Sequence, residues 1–391
     1  HAFLYHLIQL LLHITNVVLL FFLFKHFFTR SISFLLACLY LVHPINVETV
    51  AYISDFQDIL FVLFGLLAIN LALYFPVTKK TLYGIPSLLF LSLLSKETGI
   101  LFILCLIMIA YFFRPLYKRI LVFLTVIPLL LYACIRVFIA GVLIGRVPHT
   151  LFGSMSMPER VMHIPSIIMS YLSTVFYPQN LSFGQTWTIQ PSFDTVGFPL
   201  ILILVLIGLL FMLLHKTRNK NPKLFSLTIL FAVWLGLGLV LHVQLLPLEM
   251  TVAHRWFYFP FIGLLGIAGT LLTRLNKYLK VSLLLLILII LPLLSIRTFV
   301  RLGDWKNSLT LYKHDREVTE SYLLENAYGY ELMQRNDMLH AYPPLVRSIQ
   351  LFETTNNTNT LGVYYFKAHK IPEAIKWMDR STEMGDNFLS Y

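Results

Sequence analysis

VSLLLLILIILPLLSIRTF, residues 281–299, decides the fold class of this chain. From Val281 to Ile296 it carries no charge, and Leu and Ile dominate it. A helix crossing a bilayer needs about 20 mostly apolar residues. A strand in the same place would leave its edge groups without hydrogen-bond partners in lipid. The stretch therefore predicts a membrane-spanning helix. Moving outward, comparable stretches lie near 4–24, 31–45, 57–76, 81–95, 98–113, 119–140, 197–214, 224–243 and 257–273, which makes ten predicted spans with 281–299.

Composition agrees. Of 391 residues 58% are hydrophobic and 13% charged, against roughly 25% charged in soluble domains. Single soluble cores stop growing at a few hundred residues, so an ordinary cytosolic enzyme, a disordered chain and a nucleic-acid-binding domain are excluded. The net charge of +11 fits basic cytoplasmic connections. Cys38, Cys105 and Cys134 sit in apolar runs and read as small hydrophobes. The apolar sequence starts almost at His1, so further chain is expected upstream.

Charge placement predicts orientation. Connections after alternate spans hold Lys25 and Arg30; Lys79 and Lys80; Arg114, Lys118 and Arg119; Lys216, Arg218, Lys220 and Lys223; Arg274, Lys277 and Lys280. None of these connections contains Asp or Glu, and the positive-inside rule makes them cytoplasmic. Glu48, Asp55, Asp58, Glu97, Glu159, Asp194, Glu249 and Asp304 then fall on the opposite face. That places the C-terminal region in a periplasm or lumen, on a bacterial inner membrane or the endoplasmic reticulum. Residues 146–196 must begin and end on that outer face. Within them 161–177 is amphipathic and bracketed by Pro158 and Pro178, which suggests a helix in the interface. A pair of weak spans is the alternative.

The expected organisation is all-α: a polytopic membrane domain over 1–303, followed by a helical repeat domain over 304–391. In the latter, Gly329 and Gly362 are 33 residues apart, as are Ala341 and Ala374. In TLGVYYFKAHKIPEAIKWMDRSTEMGDN, residues 360–387, Leu361, Gly362, Tyr365 and Ala374 fall at tetratricopeptide spacing. Small Gly and Ala let two antiparallel helices approach. Pro343 and Pro344 lie inside the second helix of the first copy, which is expected to be broken or shifted there. Such repeats bind proteins or peptides, or merely cap a domain.

Ionisable residues near a bilayer are costly and are the functional candidates. They gather in three outer turns: HPINVETVAYISDFQD (43–58), LSKETG (94–99) and LPLEMTVAHRWFYFP (246–260). His43, Glu48 and Asp58 are candidate catalytic groups, since a carboxylate or imidazole can take a proton from an acceptor hydroxyl. Lys96, Glu97, His254, Arg255 and Tyr258 are candidate substrate-binding residues. Lys96 and Arg255 can neutralise a phosphate, Arg through a bidentate fork. Structural alternatives stand beside each. Arg255 and Trp256 could anchor at the interface, Lys96 could pair with Glu97, Asp55 could cap a helix, and His43 could cap a helix end. His13 reads as a packed core residue, and Arg136 as snorkelling. No metal-ligand motif, P-loop or Rossmann pattern is present.

At these residues the sequence resembles the transmembrane and tetratricopeptide-repeat-containing proteins. These are O-mannosyltransferase-like members of the GT-C glycosyltransferase superfamily, with bacterial relatives. YHLIQLLLHITNVVLLFFLF (5–24) resembles the family's second span, and HPINVETVAYISDFQD its HPxxxExVAxIxxRxD loop. LLSKETGI, YPQNLSF, LPLEMTVAHRWFYFPFIG and DWKNSLTLY follow in the family's order. Phe56 stands where the family has Arg, and Asn46 where it often has His. The resemblance implies a glycosyltransferase that takes a sugar from a polyprenyl-phosphate carrier, mannose in eukaryotic relatives. The acceptor would be a protein or glycan hydroxyl on the outer face, with a protein partner on the repeats and no nucleic acid. It also implies a main catalytic acid in a loop upstream of residue 1. The lipid-linked sugar is the donor; no metal requirement is implied. The competing expectations are a non-catalytic membrane scaffold that recruits a protein partner and, less favoured, a transporter.

Overall fold

The computed structural model describes residues 2–141 and 150–384. Their regular structure is helical, with no strand among the described residues and a single isolated bridge between Gln185 and Val252. Two compact units divide the chain: one from the described residues among 1–145, 202–240 and 254–299, the other from those among 146–201, 241–253 and 300–391. This differs from a cut at 303/304, because residues 150–201 and 241–253 fold with the repeats. Residues 142–149 and 385–391, which include the ends of both the expected outer loop and the second repeat copy, lie outside the described residues.

The first unit begins with α1 (Ala2–Phe27), α2 (Arg30–Val42) and the short α3 (Val47–Ala51), then α4 (Phe56–Tyr74), α5 (Lys79–Ser95), α6 (Ile100–Phe113) and α7 (Lys118–Cys134). The second unit contributes α8 (Met157–Phe176). It is followed along the chain by α9 (Phe198–Arg218), α10 (Pro222–Val240), α11 (Tyr258–Arg274) and α12 (Lys277–Asp304). Helix occupies most of each of the ten stretches expected to span, with α2, α4 and α10 ending two or three residues before the expected bounds. Among the described residues seven helices are long and apolar enough to cross a membrane, or eight when α2 and α3, bent by 49° at His43–Pro44, are taken as one broken span. The remaining two expected spans correspond to α5, of 17 residues, and α6, of 14, which fall at or below the usual length. These are the helices of an integral membrane protein.

Within this unit α4 pairs with α5 and α10 with α11, while α1 lies against both α2 and α4. Trp234 is fully buried, stacks on Phe259 with ring centres 5.1 Å apart and meets Phe102 edge-on at 5.6 Å. Its indole N–H donates to the Phe259 carbonyl at 3.2 Å, so the one polar atom of the core's largest side chain is satisfied. By contrast, none of the apolar window of α12 and little of α9 is buried. Such surfaces are stable only where the solvent is as apolar as they are. Arg114 has a second use beyond topology. Its guanidinium donates to the carbonyls of Leu73 and Phe75 at 2.8 and 2.9 Å, closing the C-terminal end of α4 where a cation is favoured.

In the second unit, α8 covers the stretch expected to be amphipathic. Ser156 and Glu159 form a capping box at its start, with Pro158 in its first turn. The hydrogen bonds from Ser156 hold the Glu159 carboxyl below the usual carboxylate range. His163, Ile167, Tyr171 and Thr174 are buried, whereas Val161, Met162 and Phe176 are exposed. After α13 (Ser308–Val318) come two helical hairpins, α14 (Tyr322–Gln334) with α15 (Met338–Leu351) and α16 (Thr355–Lys367) with α17 (Ile371–Glu383). The 33-residue period is geometric as well as sequential. A Cβ on Gly329 would lie 2.7 Å from Leu345 and 3.1 Å from the Ala341 carbonyl, and one on Gly362 would lie 2.9 Å from Met378. Asn336 and His369, also 33 residues apart, both adopt positive φ, near 61° and 59°, at the ends of α14 and α16. Contrary to expectation, α15 runs unbroken through Pro343 and Pro344. Two ladder hydrogen bonds are forgone, and burial of Ala341, Pro344 and Leu345 holds the helix on its partner. Arg301 and Asp315, both buried, form a two-pronged pair at 2.6 and 2.9 Å. Asp315 also accepts the Phe183 N–H at 2.7 Å.

The α10–α11 contact is set by backbone approach. A Cβ on Gly263 would sit 2.5 Å from the Leu235 nitrogen and 2.9 Å from the Phe231 carbonyl, whereas one on Gly236 meets nothing. Gly263→Ala is expected to cost about 1–3 kcal/mol through forced separation of the two helices, and Gly236→Ala to cost nothing. Thermal unfolding of the two variants in detergent micelles, followed by circular dichroism, checks the contrast.

Candidate functional site

Three turns supply the site, all within the first unit. In the first, the chain leaves α2 at His43, passes Pro44–Asn46 as one tight turn, forms α3 and re-enters through Ile53–Asp55 into α4. Glu48 lies on α3, Asp55 immediately before α4 and Asp58 in its first turn. A carboxylate at that position faces the positive end of the helix dipole. In the second, Lys96 caps the C-terminal end of α5, where a cation is favoured. In the third, His254 and Arg255 lie on the turn His254–Phe257 that leads into α11.

The three turns converge. Lys96 Nζ donates to both carboxylate oxygens of Asp58, at 2.6 and 2.7 Å. Arg255 Nη1 donates to Glu48 Oε1 at 2.6 Å, and its Nε lies 3.6 Å from Asp55 Oδ1. The other Glu48 oxygen accepts the His254 backbone N–H at 3.0 Å. Asp55 in turn neighbours Asp58, which joins the two ion pairs into one chain of charge. The carboxylates are the buried partners, with side chains 2–4% exposed, whereas Arg255 is 13% and Lys96 16% exposed. The cations therefore form the accessible rim and the acids the floor. The Arg255 guanidinium lies 5.8 Å from the ring centres of both Tyr52 and Trp256, within reach of cation–π attraction.

The other sequence candidates take different places. Glu97 does not pair with Lys96. It is exposed and meets Arg136 at 2.7 Å, and Arg136 also lies over Tyr132. His43 caps the turn that follows it, its Nδ1 accepting the Ile45 N–H at 3.2 Å, and its ring meets Phe261 edge-on. Asp55 occupies a cap position but makes no capping hydrogen bond. Tyr258 lies beneath the charges. Its hydroxyl meets His13 Nδ1 at 2.8 Å and accepts from Asn16 at 3.2 Å. Because His13 Nε2 faces the Leu41 carbonyl at 3.2 Å, that nitrogen carries the proton and Nδ1 accepts from Tyr258.

Of this lower polar layer the sequence singles out only Tyr258, as a substrate-binding candidate, and His13, as a core residue. Gln9, His13 and Asn16 fall at i, i+4 and i+7 and are all buried on one face of α1. Their spacing in an otherwise apolar span was the available signal. Gln9 donates to the Tyr52 carbonyl at 2.9 Å and Asn16 to that of Ile59 at 3.0 Å, which ties α1 to the first turn. Gln9 Oε1, Asn16 Oδ1, Asn46 Oδ1 and Asp55 Oδ2 are buried acceptors with no protein donor. Such atoms generally mark ordered water or a ligand. Among the described residues no group of three or more His, Cys, Asp or Glu is placed to hold a metal ion.

The sequence matches no family model, and no curated protein or solved structure is significantly similar to it.

Removing one member of a buried ion pair leaves the other charge uncompensated. Glu48→Ala is expected to destabilise the first unit by about 3–5 kcal/mol. Glu97→Ala, at an exposed pair, should cost no more than about 1 kcal/mol. Unfolding midpoints in one detergent distinguish the two; equal shifts would show that the buried pairs are energetically ordinary.

Proposed function

We propose that the chain is an integral-membrane glycosyltransferase that moves a sugar from a polyprenyl-phosphate carrier to a hydroxyl of a protein or glycan. The observation that carries this reading is the layering of the cluster, with Lys96 and Arg255 at the accessible rim and three carboxylates beneath them. A lipid-linked sugar brings a phosphate that gains negative charge as the anomeric carbon–oxygen bond breaks. Two cations held in place by buried acids stabilise that charge without rearranging. The Trp256 and Tyr52 rings beside Arg255 offer faces for a sugar ring.

In this reading the acceptor hydroxyl attacks the anomeric carbon, the glycosidic bond forms, and the phosphate leaves with the bonding electrons toward Lys96 and Arg255. The hydroxyl proton passes to a carboxylate. Glu48 and Asp55 hold Arg255 in place from beneath. Asp58, released as Lys96 turns to the departing phosphate, is the carboxylate we assign as base.

Transfer of labelled mannose from mannosyl-phosphopolyprenol to a hydroxyl-bearing peptide, measured with the full chain in liposomes, tests the assignment. Asp58→Asn should lower turnover by about 10²–10⁴-fold. Arg255→Lys and Lys96→Arg, which keep the charge but change its geometry, should act on transition-state stabilisation with circular dichroism unchanged. Full turnover in all three variants would remove the site from the reaction.

One observation favours the scaffold reading. Leu339, Phe366 and Ile375 on the helical hairpins are more than half exposed, as on a surface that takes a protein partner. If deleting 305–391 abolished function while the three site variants had none to lose, the scaffold would stand and the enzyme would fall.

A further inference from the structure

Between α1 and α2, away from the charged cluster, lies a groove of about 670 Å³. Its walls are side chains from Ile14 to Phe21 on one helix and from Arg30 to Leu41 on the other. Arg30 is the one charged residue in the lining, and it stands at one end. Lys25 reaches the same end, its ammonium 5.9 Å from the ring centre of Phe21, which lines the groove. Among the described residues neither Lys25 nor Arg30 forms an ion pair, and the carboxylates of this unit that do so, Glu48, Asp58, Asp55 and Glu97, belong to turns at the opposite helix ends. The remainder of the lining is apolar apart from Ser31 and Cys38. From Arg30 to Leu41 α2 rises about 16 Å at 1.5 Å per residue. One leaflet of a bilayer core is about 15 Å deep.

We infer that this groove binds an anionic phospholipid, with one acyl chain between α1 and α2 and the phosphate held by Arg30 and Lys25. Three features select this occupant. The groove is apolar along the depth of one leaflet, its charge is confined to one end, and that charge is cationic without an acid to neutralise it. A transmembrane helix of a second copy would match the apolar walls but leave both cations unused. The inference is independent of the proposed transfer reaction, because the cluster of Lys96 and Arg255 lies at the other ends of these helices.

The test uses the full chain in nanodiscs of phosphatidylcholine and phosphatidylglycerol, extracted into detergent, with retained lipid counted by native mass spectrometry. Phosphatidylglycerol should be retained in preference to phosphatidylcholine. Arg30→Ala and Lys25→Ala, at exposed positions, should each reduce that preference by about fivefold. Cys38→Trp, which fills the groove, should abolish retention. Lys79→Ala with Lys80→Ala, at a different basic connection, should leave it intact. The proposal is overturned if Arg30→Ala and Lys25→Ala retain the wild-type preference, or if the Lys79 and Lys80 variant loses it equally. It is also overturned if Cys38→Trp changes oligomeric state without changing retention, or if an added polyprenyl phosphate displaces the phospholipid one for one.

Discussion

The pairing of Glu48 with Arg255 is the constraint around which the first unit is arranged. The two residues are far apart in sequence, on α3 and on the turn before α11, and meet at 2.6 Å with the carboxylate almost wholly buried. Removing a carboxylate and a guanidinium from water costs several kcal/mol per ion, and only close geometry with further hydrogen bonds recovers it. Those bonds are present: Glu48 takes the His254 N–H as well, and Lys96 grips both oxygens of Asp58. Each bond fixes a turn, and each turn joins two helices. The bend of 49° between α2 and α3 follows from the same requirement, because it is the Pro44 turn that brings α3, and with it Glu48, back under Arg255.

The polar layer of Gln9, His13, Asn16 and Tyr258 extends that constraint into the apolar interior. α1 offers little shape-specific packing, since its exposed faces are as apolar as its buried ones. Three hydrogen-bonding side chains on one face select a single rotation and a single depth for it. This is the role polar residues serve where water cannot compete. Acceptors without a protein donor occur in both layers, Gln9 and Asn16 in this one and Asp55 among the charges. Water or a bound group meeting them would link α1 to the site chemically as well as mechanically.

Much of this was legible from residue order. Helical class, the positions of the ten apolar stretches, the helical hairpins and the grouping of charged turns all follow from hydrophobic run length and the 33-residue spacing. Partner choice did not follow. Adjacent Lys96 and Glu97 invite each other in sequence, but the end of α5 turns the lysine inward to Asp58 and the glutamate outward to Arg136. Asp55 looked like a cap because it precedes α4, yet its carboxylate is drawn towards Arg255. Pro343 and Pro344 signalled a break that burial overrode. The division into units was equally hidden, because it rests on contacts such as the pairing of Thr251 with Gln185 and of Ser321 with Gly184 and Thr186, which no local pattern announces.

The same segregation of charge serves two different physical ends. At the connections of α1 to α2 and of α4 to α5, bases stand without acids, as orientation in a membrane requires. At the opposite helix ends acids outnumber bases, and burial forces Glu48, Asp55 and Asp58 into contact with a cation or with one another. An acid-rich floor holds Lys96 and Arg255 in place, each through an ion pair of 2.6 Å. A ligand that attracts them must then be anionic and must approach from the rim, since the floor repels it. The arrangement thus suits a group bearing negative charge at one end. The proposed lipid-linked donor has that construction, with apolar bulk behind its phosphate.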